Sequence, residues 1–110
     1  MVALKNEQTV VECVLIECVR RYATPDARMF TVFDRDDRHF LVMEEGWNGN
    51  KRIHTAFVHI ELQNGLVLIQ QDYTNHGIAN DLVSAGIPRE NIVLAYKPPA
   101  LRTDVEYAVA

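Results

Sequence analysis

The fold is decided by residues 46–79, GWNGNKRIHTAFVHIELQNGLVLIQQDYTNHGIA. This stretch contains two Asn-Gly pairs, Asn48-Gly49 and Asn64-Gly65, each between residues that favour strands. A two-residue hairpin loop of type I′ needs positive φ at both central positions, and Asn-Gly adopts that geometry most readily. The sequence therefore predicts two tight hairpins, and each loop sets the register of the strands beside it.

The segments around this stretch complete a small α+β domain. Apolar residues at spacings of three and four predict an N-terminal amphipathic helix over 5–22, which Thr24-Pro25 ends. Four strands, predicted as an antiparallel β-meander, lie at 29–34, 39–47, 51–63 and 66–73. A second short helix should run from Thr74 or Asn75 to about Ala85, and a short C-terminal strand should follow at 92–95.

The predicted register divides the sheet into an apolar face and a mixed one. A loop at Asn64-Gly65 pairs Ile60 with Ile69, and a loop at Asn48-Gly49 pairs Glu45 with Arg52. We expect the helices to cover the apolar face. Its members are Leu41, Met43, Ala56, Val58, Ile60, Leu62, Val67, Ile69 and Tyr73.

The second face combines apolar and polar side chains in the predicted register. Phe40 faces Phe57 there, and His59 faces Gln70. This face is less polar than one that meets only water and less apolar than one under a helix, so it predicts an interface with another chain. Partial cover by the C-terminal tail and a ligand site are the alternatives. The candidate interaction residues are Phe40, Phe57, His59, Gln70 and Asp72, with Trp47 and Arg52 on the first hairpin.

Composition restricts the class of partner. The 110 residues form one domain, 1–110, with a net charge of −4 and a pI near 5.5. Because nucleic-acid affinity depends on Lys and Arg neutralising phosphates, we expect a protein partner and only indirect contact with DNA. The sequence shows neither a membrane span nor a signal-peptide pattern, which predicts a cytoplasmic protein. Cys13 and Cys18 are expected to be reduced thiols.

The histidines do not predict a metal site. His54 and His59 are five residues apart on one strand and are therefore expected on opposite faces, while His39 is expected on the core face. Only His54 and His76 should approach each other, which leaves too few ligands for zinc. We expect no metal and no cofactor.

The sequence gives equally little support for a catalytic site or a DNA-binding site. His59 beside Asp72 and Gln70 could form a general base, but such a group is more often a plain cross-strand polar pair. The sequence has no nucleophile elbow and no glycine-rich phosphate loop, so we predict no catalytic residues. Trp47 beside Lys51 and Arg52 could contact DNA, but Glu44 and Glu45 offset that charge.

Several motifs in the same order resemble the XisI family of fdxN element excision controlling factors. They are Gly46-Trp47, Lys51-Arg52 with His54, Val58-His59-Ile60, Ile69-Gln70 with Asp72, Gly77-Ile78-Ala79, Ile87-Pro88 before 92–95, and Ala108-Val109-Ala110. The resemblance extends from about Phe33 to Ala110, and the chain departs from the pattern at its start and at 103–106.

The resemblance implies a small α+β regulatory protein, not an enzyme, that acts in excision of a DNA element. It also implies a XisH-like partner related to endonucleases. The composition of the second face separately suggests a homodimer. The alternatives are an antitoxin-like partner that neutralises a nuclease, and a nuclease or hydrolase component that uses His59 and Asp72.

Overall fold

The computed structural model describes residues 3–104 and 107–108, and it has the predicted α+β architecture. Its helices are α1 (Ala3–Tyr22) and α2 (Ile78–Ser84), and short 3-10 turns occupy Arg89–Asn91 and Pro99–Asp104. The strands are β1 (Ala27–Phe33), β2 (His39–Asn48), β3 (Lys51–Gln63), β4 (Leu66–Asp72) and β5 (Ile92–Val93). They form one sheet in the order β1-β2-β3-β4-β5, in which β5 runs parallel to β4 and the other pairs are antiparallel.

Both helices pack on one face of this sheet, which we call the inner face. The apolar stripe of α1 supplies Val11, Leu15 and Cys18 to the core, and α2 supplies Ile78 and Leu82. The sheet contributes buried side chains at alternating positions, as a half-buried strand should. They include Phe40, Val42, Val58, Ile60, Leu62, Val67 and Ile69.

The second hairpin has the predicted geometry and the first does not. Asn64 and Gly65 have φ of 53° and 79°, and Leu62 lies opposite Val67 as expected. In the first hairpin Asn48 still pairs with Lys51, so the loop is Gly49-Asn50. Positive φ there is confined to Gly49, as in a type II′ turn.

The predicted β2–β3 register is therefore wrong at the first hairpin. Glu45 lies opposite His54, and Trp47 lies opposite Arg52. The reason is that Asn48-Gly49-Asn50 contains two overlapping pairs that can each form a tight turn.

A β-bulge in β3 changes which residues of β2 face the core. Val42 pairs with Val58 and Met43 pairs with Ala56, so Phe57 is the extra residue, and both Phe57 and Val58 are buried. Because the bulge inverts the alternation, Phe40 is fully buried, and its predicted place on the second face is wrong. Leu41, Met43 and Ala56, predicted for the core face, lie on the other side of the sheet.

A second bulge, in β4, also changes which residues face the core. Ile60 pairs with Ile69 but His59 pairs with Gln71, which leaves Gln70 as the extra residue and places Asp72 opposite Val58. Asp72 therefore lies on the helix side of the sheet. Tyr73, predicted for the core, follows the end of the strand and is 58% exposed.

The helix α2 begins later than predicted. Its N-cap is Gly77, and the first helical amide, that of Ile78, donates a hydrogen bond of 2.8 Å to Asp72 Oδ2. Thr74 instead accepts a hydrogen bond from the Gly77 amide at 3.1 Å. The end of the helix is as expected, with Ala85 as C-cap and Gly86 at φ 113°.

Within residues 3–104 and 107–108, the structure shows no helix with the length and apolar character needed to span a bilayer.

Candidate interaction surface

The face of the sheet opposite the helices, which we call the outer face, carries a band of apolar side chains. Val32 on β1 is 43% exposed, and the rest are half-buried. The register places these side chains on β1, β2 and β4, while β3 between β2 and β4 carries the polar His59 and Glu61 on this face. The members of the band are Phe30, Val32, Leu41, Met43, Leu66 and Leu68. The outer face therefore presents apolar area that the two helices do not cover.

Four of the polar residues on this face form a group on β2, β3 and β4. His39 Nδ1 and His59 Nε2 are 3.1 Å apart, and Gln70 Nε2 donates a hydrogen bond of 3.1 Å to Glu61 Oε1. His39 lies directly opposite Glu61, while His59 is two residues before Glu61 on the same strand. The four side chains therefore form one compact group, which we call the histidine cluster.

The surroundings of His59, the central imidazole of the histidine cluster, favour its neutral form. Partial burial is the main cause that lowers the pKa of His59, the nearby His39 lowers it further, and Glu61 opposes both. A neutral imidazole retains one nitrogen lone pair, so one of the two rings donates to the other across the 3.1 Å contact.

Two arginines share one glutamate at the first-hairpin end of the outer face. Glu45 accepts hydrogen bonds from Arg28 Nε at 2.9 Å and from Arg52 Nη2 at 2.9 Å. Hydrogen bonds from Arg28 and then Arg52 lower the pKa of Glu45. The Arg52 guanidinium also lies 5.2 Å from the centre of the Trp47 ring. The predicted contact between Glu45 and Arg52 therefore forms, although the two residues are diagonal neighbours and not directly opposed.

The structure brings together some of the predicted interaction residues and separates others. His59, Gln70, Trp47 and Arg52 lie on the outer face. Phe40 and Phe57 are in the core, where Phe57 packs against Tyr22 of α1 with ring centres 5.4 Å apart. Their predicted exposure is wrong because of the bulge in β3.

Asp72 also lies apart from the interaction residues with which it was predicted to share a face. Its Oδ1 accepts hydrogen bonds from the Thr74 amide at 2.9 Å and from the Thr74 hydroxyl at 2.5 Å, while its Oδ2 binds the Ile78 amide. Asp72 therefore lies on the opposite face of the sheet from His59. The predicted general base formed by His59 and Asp72 does not exist in this structure. The bulge at Gln70 is the physical reason.

A series of side-chain contacts links α1 to α2, and the sequence did not predict it. His76 Nδ1 lies 2.5 Å from the Tyr22 hydroxyl, and His76 Nε2 lies 2.6 Å from Asp81 Oδ2. The predicted approach of His76 to His54 is wrong, because His54 lies on the outer face beside Glu45. Tyr22 and His76 are separated by 54 residues, so no local spacing signals their contact.

The histidine placements also require correction. The bulge at Phe57 puts His54 and His59 on the same face, and His39 lies on the outer face and not in the core. Among residues 3–104 and 107–108, no group of three or more His, Cys, Asp or Glu side chains is arranged to hold a metal ion.

Comparison with known proteins identifies the family. The family model described as XisI protein matches residues 1–109, almost the whole chain. The chain belongs to the XisI family. Among the curated proteins, none matches it.

Two crystal structures from Anabaena variabilis ATCC 29413 share the XisI fold of this chain. A XisI-like protein is 29% identical, with a TM-score of 0.81 over 98% of this chain and 99% of the other. The fdxN element excision controlling factor XisI is 28% identical, with a TM-score of 0.71 over 94% of this chain and 99% of the other. The match covers both helices and the sheet, and therefore the inner and outer faces described above.

Proposed function

We propose that this XisI-family chain is a non-enzymatic regulatory protein in DNA element excision and acts by binding a XisH-like, endonuclease-related protein. A structurally similar protein is an fdxN element excision controlling factor, which supports the regulatory role. The surface that binds the partner is the outer face, where Leu41 and Met43 on β2 and Leu68 on β4 lie on either side of His59 and Glu61.

The composition of the outer face is the observation that carries this proposal. An interface typically has an apolar centre and a polar rim and buries about 800 Å² on each partner. The apolar band supplies the apolar part of such an interface, and Arg28, Glu45 and Arg52 supply charges at one end. Apolar area removed from water stabilises a complex by about 25 cal/mol per Å², before the costs of association are subtracted.

Charge favours a protein over DNA as the direct partner. The chain carries a net charge of −4, which opposes approach to phosphates. The Arg28 and Arg52 side chains both contact Glu45, which offsets one of their two positive charges on the outer face. Contact with the DNA element is accordingly indirect, through the partner.

The proposal is tested by comparing two exposed β-branched residues on opposite sides of the molecule. Val32 on the outer face is 43% exposed, and Ile16 on α1 is 48% exposed. Val32→Glu should weaken co-purification with a XisH-like protein at least about tenfold, because burying an unpaired carboxylate costs more than the 1.4 kcal/mol that corresponds to tenfold. Ile16→Glu, the matched control, should leave the complex intact.

Wild-type binding by Val32→Glu, or loss of the complex only in Ile16→Glu, would contradict the proposal. Circular dichroism melting of both variants shows that each one is folded. The nuclease activity of the purified complex, measured against that of the partner alone, then separates an excision controlling role from simple neutralisation. Size measurements on the free chain and on Val32→Glu show whether the outer face also forms a homodimer.

A further inference from the structure

We propose that the chain forms a symmetric dimer in which β1 pairs antiparallel with β1 of a second copy, so that the two sheets join edge to edge. In the part of the chain that the structure describes, β1 is the first strand of the sheet and β2 is its one neighbouring strand. Such an edge offers a row of backbone N–H and C=O groups to another strand. The interface is this edge, and it is separate from the outer face that binds the XisH-like protein.

The hydrogen bonds between β1 and β2 determine which backbone groups point away from the sheet. The Asp34 amide donates to the His39 carbonyl at 3.1 Å, so these two residues form a hydrogen-bonded pair just beyond the strand. Because such pairs alternate along an antiparallel ladder, Met29, Thr31 and Phe33 direct their N–H and C=O groups away from β2. Within residues 3–104 and 107–108, no protein group forms a hydrogen bond with these outward groups.

The strand β1 also lacks the features that usually prevent pairing at an edge. Its seven residues, ARMFTVF, include no lysine and no proline, and its register with β2 is continuous, without a bulge. The opposite edge of the sheet differs, since β5 has two residues and Val93 there forms a bridge with Ala108. Of the two edges, β1 is therefore the one that can accept another strand.

One register of the two β1 strands uses all of the outward groups. A two-fold axis at Thr31 places Thr31 opposite Thr31 of the second copy and Met29 opposite Phe33 of the second copy. Opposing residues of this kind exchange two hydrogen bonds, so every outward N–H and C=O finds a partner. A shift of the axis by one residue toward the N-terminus would set Phe33 opposite Ala27, whose amide already donates to the Thr24 carbonyl at 3.4 Å.

The side chains at the seam are complementary in the same register. On the outer face Phe30 lies opposite Val32 of the second copy, and apolar cross-strand pairs of this kind stabilise a sheet. Arg28 lies opposite Asp34 of the second copy, which places opposite charges at both ends of the seam. Arg28 shares Glu45 with a second arginine, so the positive charge at this position is only partly offset within the chain.

This pairing leaves the outer faces of both chains accessible. Because the two-fold axis is perpendicular to the sheet, both outer faces lie on one side of the joined sheet, and the helices of both chains lie on the other. The dimer therefore presents two copies of the outer face on a single surface.

The dimer is tested on the isolated chain by sedimentation over a range of concentrations, where the wild type should approach twice the 12.6 kDa mass of the chain. Thr31→Pro should weaken the dimer at least about tenfold, because it removes both central hydrogen bonds. Proline is tolerated at an edge position whose N–H faces away from the sheet, so the variant should fold, as circular dichroism will show. Thr31→Val keeps the N–H and the branched shape, and this matched control should dimerise like the wild type.

Disulfide trapping tests the register in a Cys13→Ser background, which lacks the exposed native thiol. The Cα atoms of a hydrogen-bonded pair are about 5.5 Å apart, so Thr31→Cys should link two chains under oxidation. Val32→Cys should not, because the two Val32 positions are diagonal neighbours with Cα atoms roughly 7–8 Å apart. This comparison decides the question even if Thr31→Pro is unfolded.

A wild type that stays monomeric, a folded Thr31→Pro that dimerises like the wild type, or equal linking of the two cysteine variants would overturn the proposal. A dimer that Val32→Glu dissociates and Thr31→Pro does not would also overturn it, because that dimer would use the outer face itself. No partner protein is needed, so failure here is distinct from failure of the proposed function.

Discussion

Asp72 joins the end of the sheet to the start of α2. Its two carboxylate oxygens accept three hydrogen bonds, two from Thr74 and one from the Ile78 amide. The last of these satisfies a backbone donor at the helix N-terminus, where a negative charge is also favourable. The side chain is thus a structural anchor for the segment that carries His76.

Asp72→Ala should therefore lower the free energy of unfolding by about 1 to 2 kcal/mol, as loss of a helix cap does. Urea denaturation measures the change, and Asp36→Ala, in an exposed turn, is the control. Binding of the partner by the folded variant should be unchanged. Wild-type stability combined with lost binding would show instead that Asp72 belongs to the interaction surface.

Single inserted residues explain why sequence reasoning succeeded only in part. The hairpin at Asn64-Gly65 was predictable, because its turn depends on two adjacent residues with positive φ. The bulges at Phe57 and Gln70 were not, because they depend on packing between distant elements. The bulge at Phe57 lets Phe40, Phe57 and Val58 all enter the core. The one sign of the bulge at Phe57 in the sequence was that the predicted register left Phe40 and Phe57 exposed on the same face.

The same bulge decides which residues form the candidate site. It places Leu41 and Met43 on the outer face, and it brings His39 to the same side as His59. Strict alternation along β3 would have kept His39 from His59, so no sequence spacing indicated that contact. The motifs were enough to recognise the family resemblance. They were not enough to predict which residues make up the outer face.

At the level of elements, the packing of α1 against the sheet and α2 sets the chemistry of its two thiols. Cys18 is 3% exposed, and burial is the main cause that raises its pKa to about 11, with further contributions from Asp72 and Asp81. Cys13 is exposed on the same helix. The thiolate is the reactive form, so a group with a raised pKa stays protonated and unreactive below that pH.

Labelling with a thiol reagent at pH 8 should therefore modify one cysteine per folded chain and two in urea. Cys13→Ser should remove the fast reaction and leave a single slow thiol. As the pH rises toward 11, Cys18 should become reactive in the folded chain. Equal rates for both thiols in the folded wild type at pH 8 would contradict the packing of α1 described here.

Across the whole molecule, the two faces of the sheet have different environments. The inner face is buried under both helices, and the outer face leaves its apolar band and the histidine cluster accessible. A fold of this kind can change its partner contacts without changing its core. The central claim is that the outer face, and not the helix side, binds the XisH-like protein.

Methyl-detected nuclear magnetic resonance tests that claim most directly, because it observes both faces in one titration with the unlabelled partner. The methyl signals of Val32, Leu41 and Met43 should shift or broaden, while that of Ile16 on α1 should not change. Perturbation of Ile16 with no change at the three outer-face residues would contradict the account.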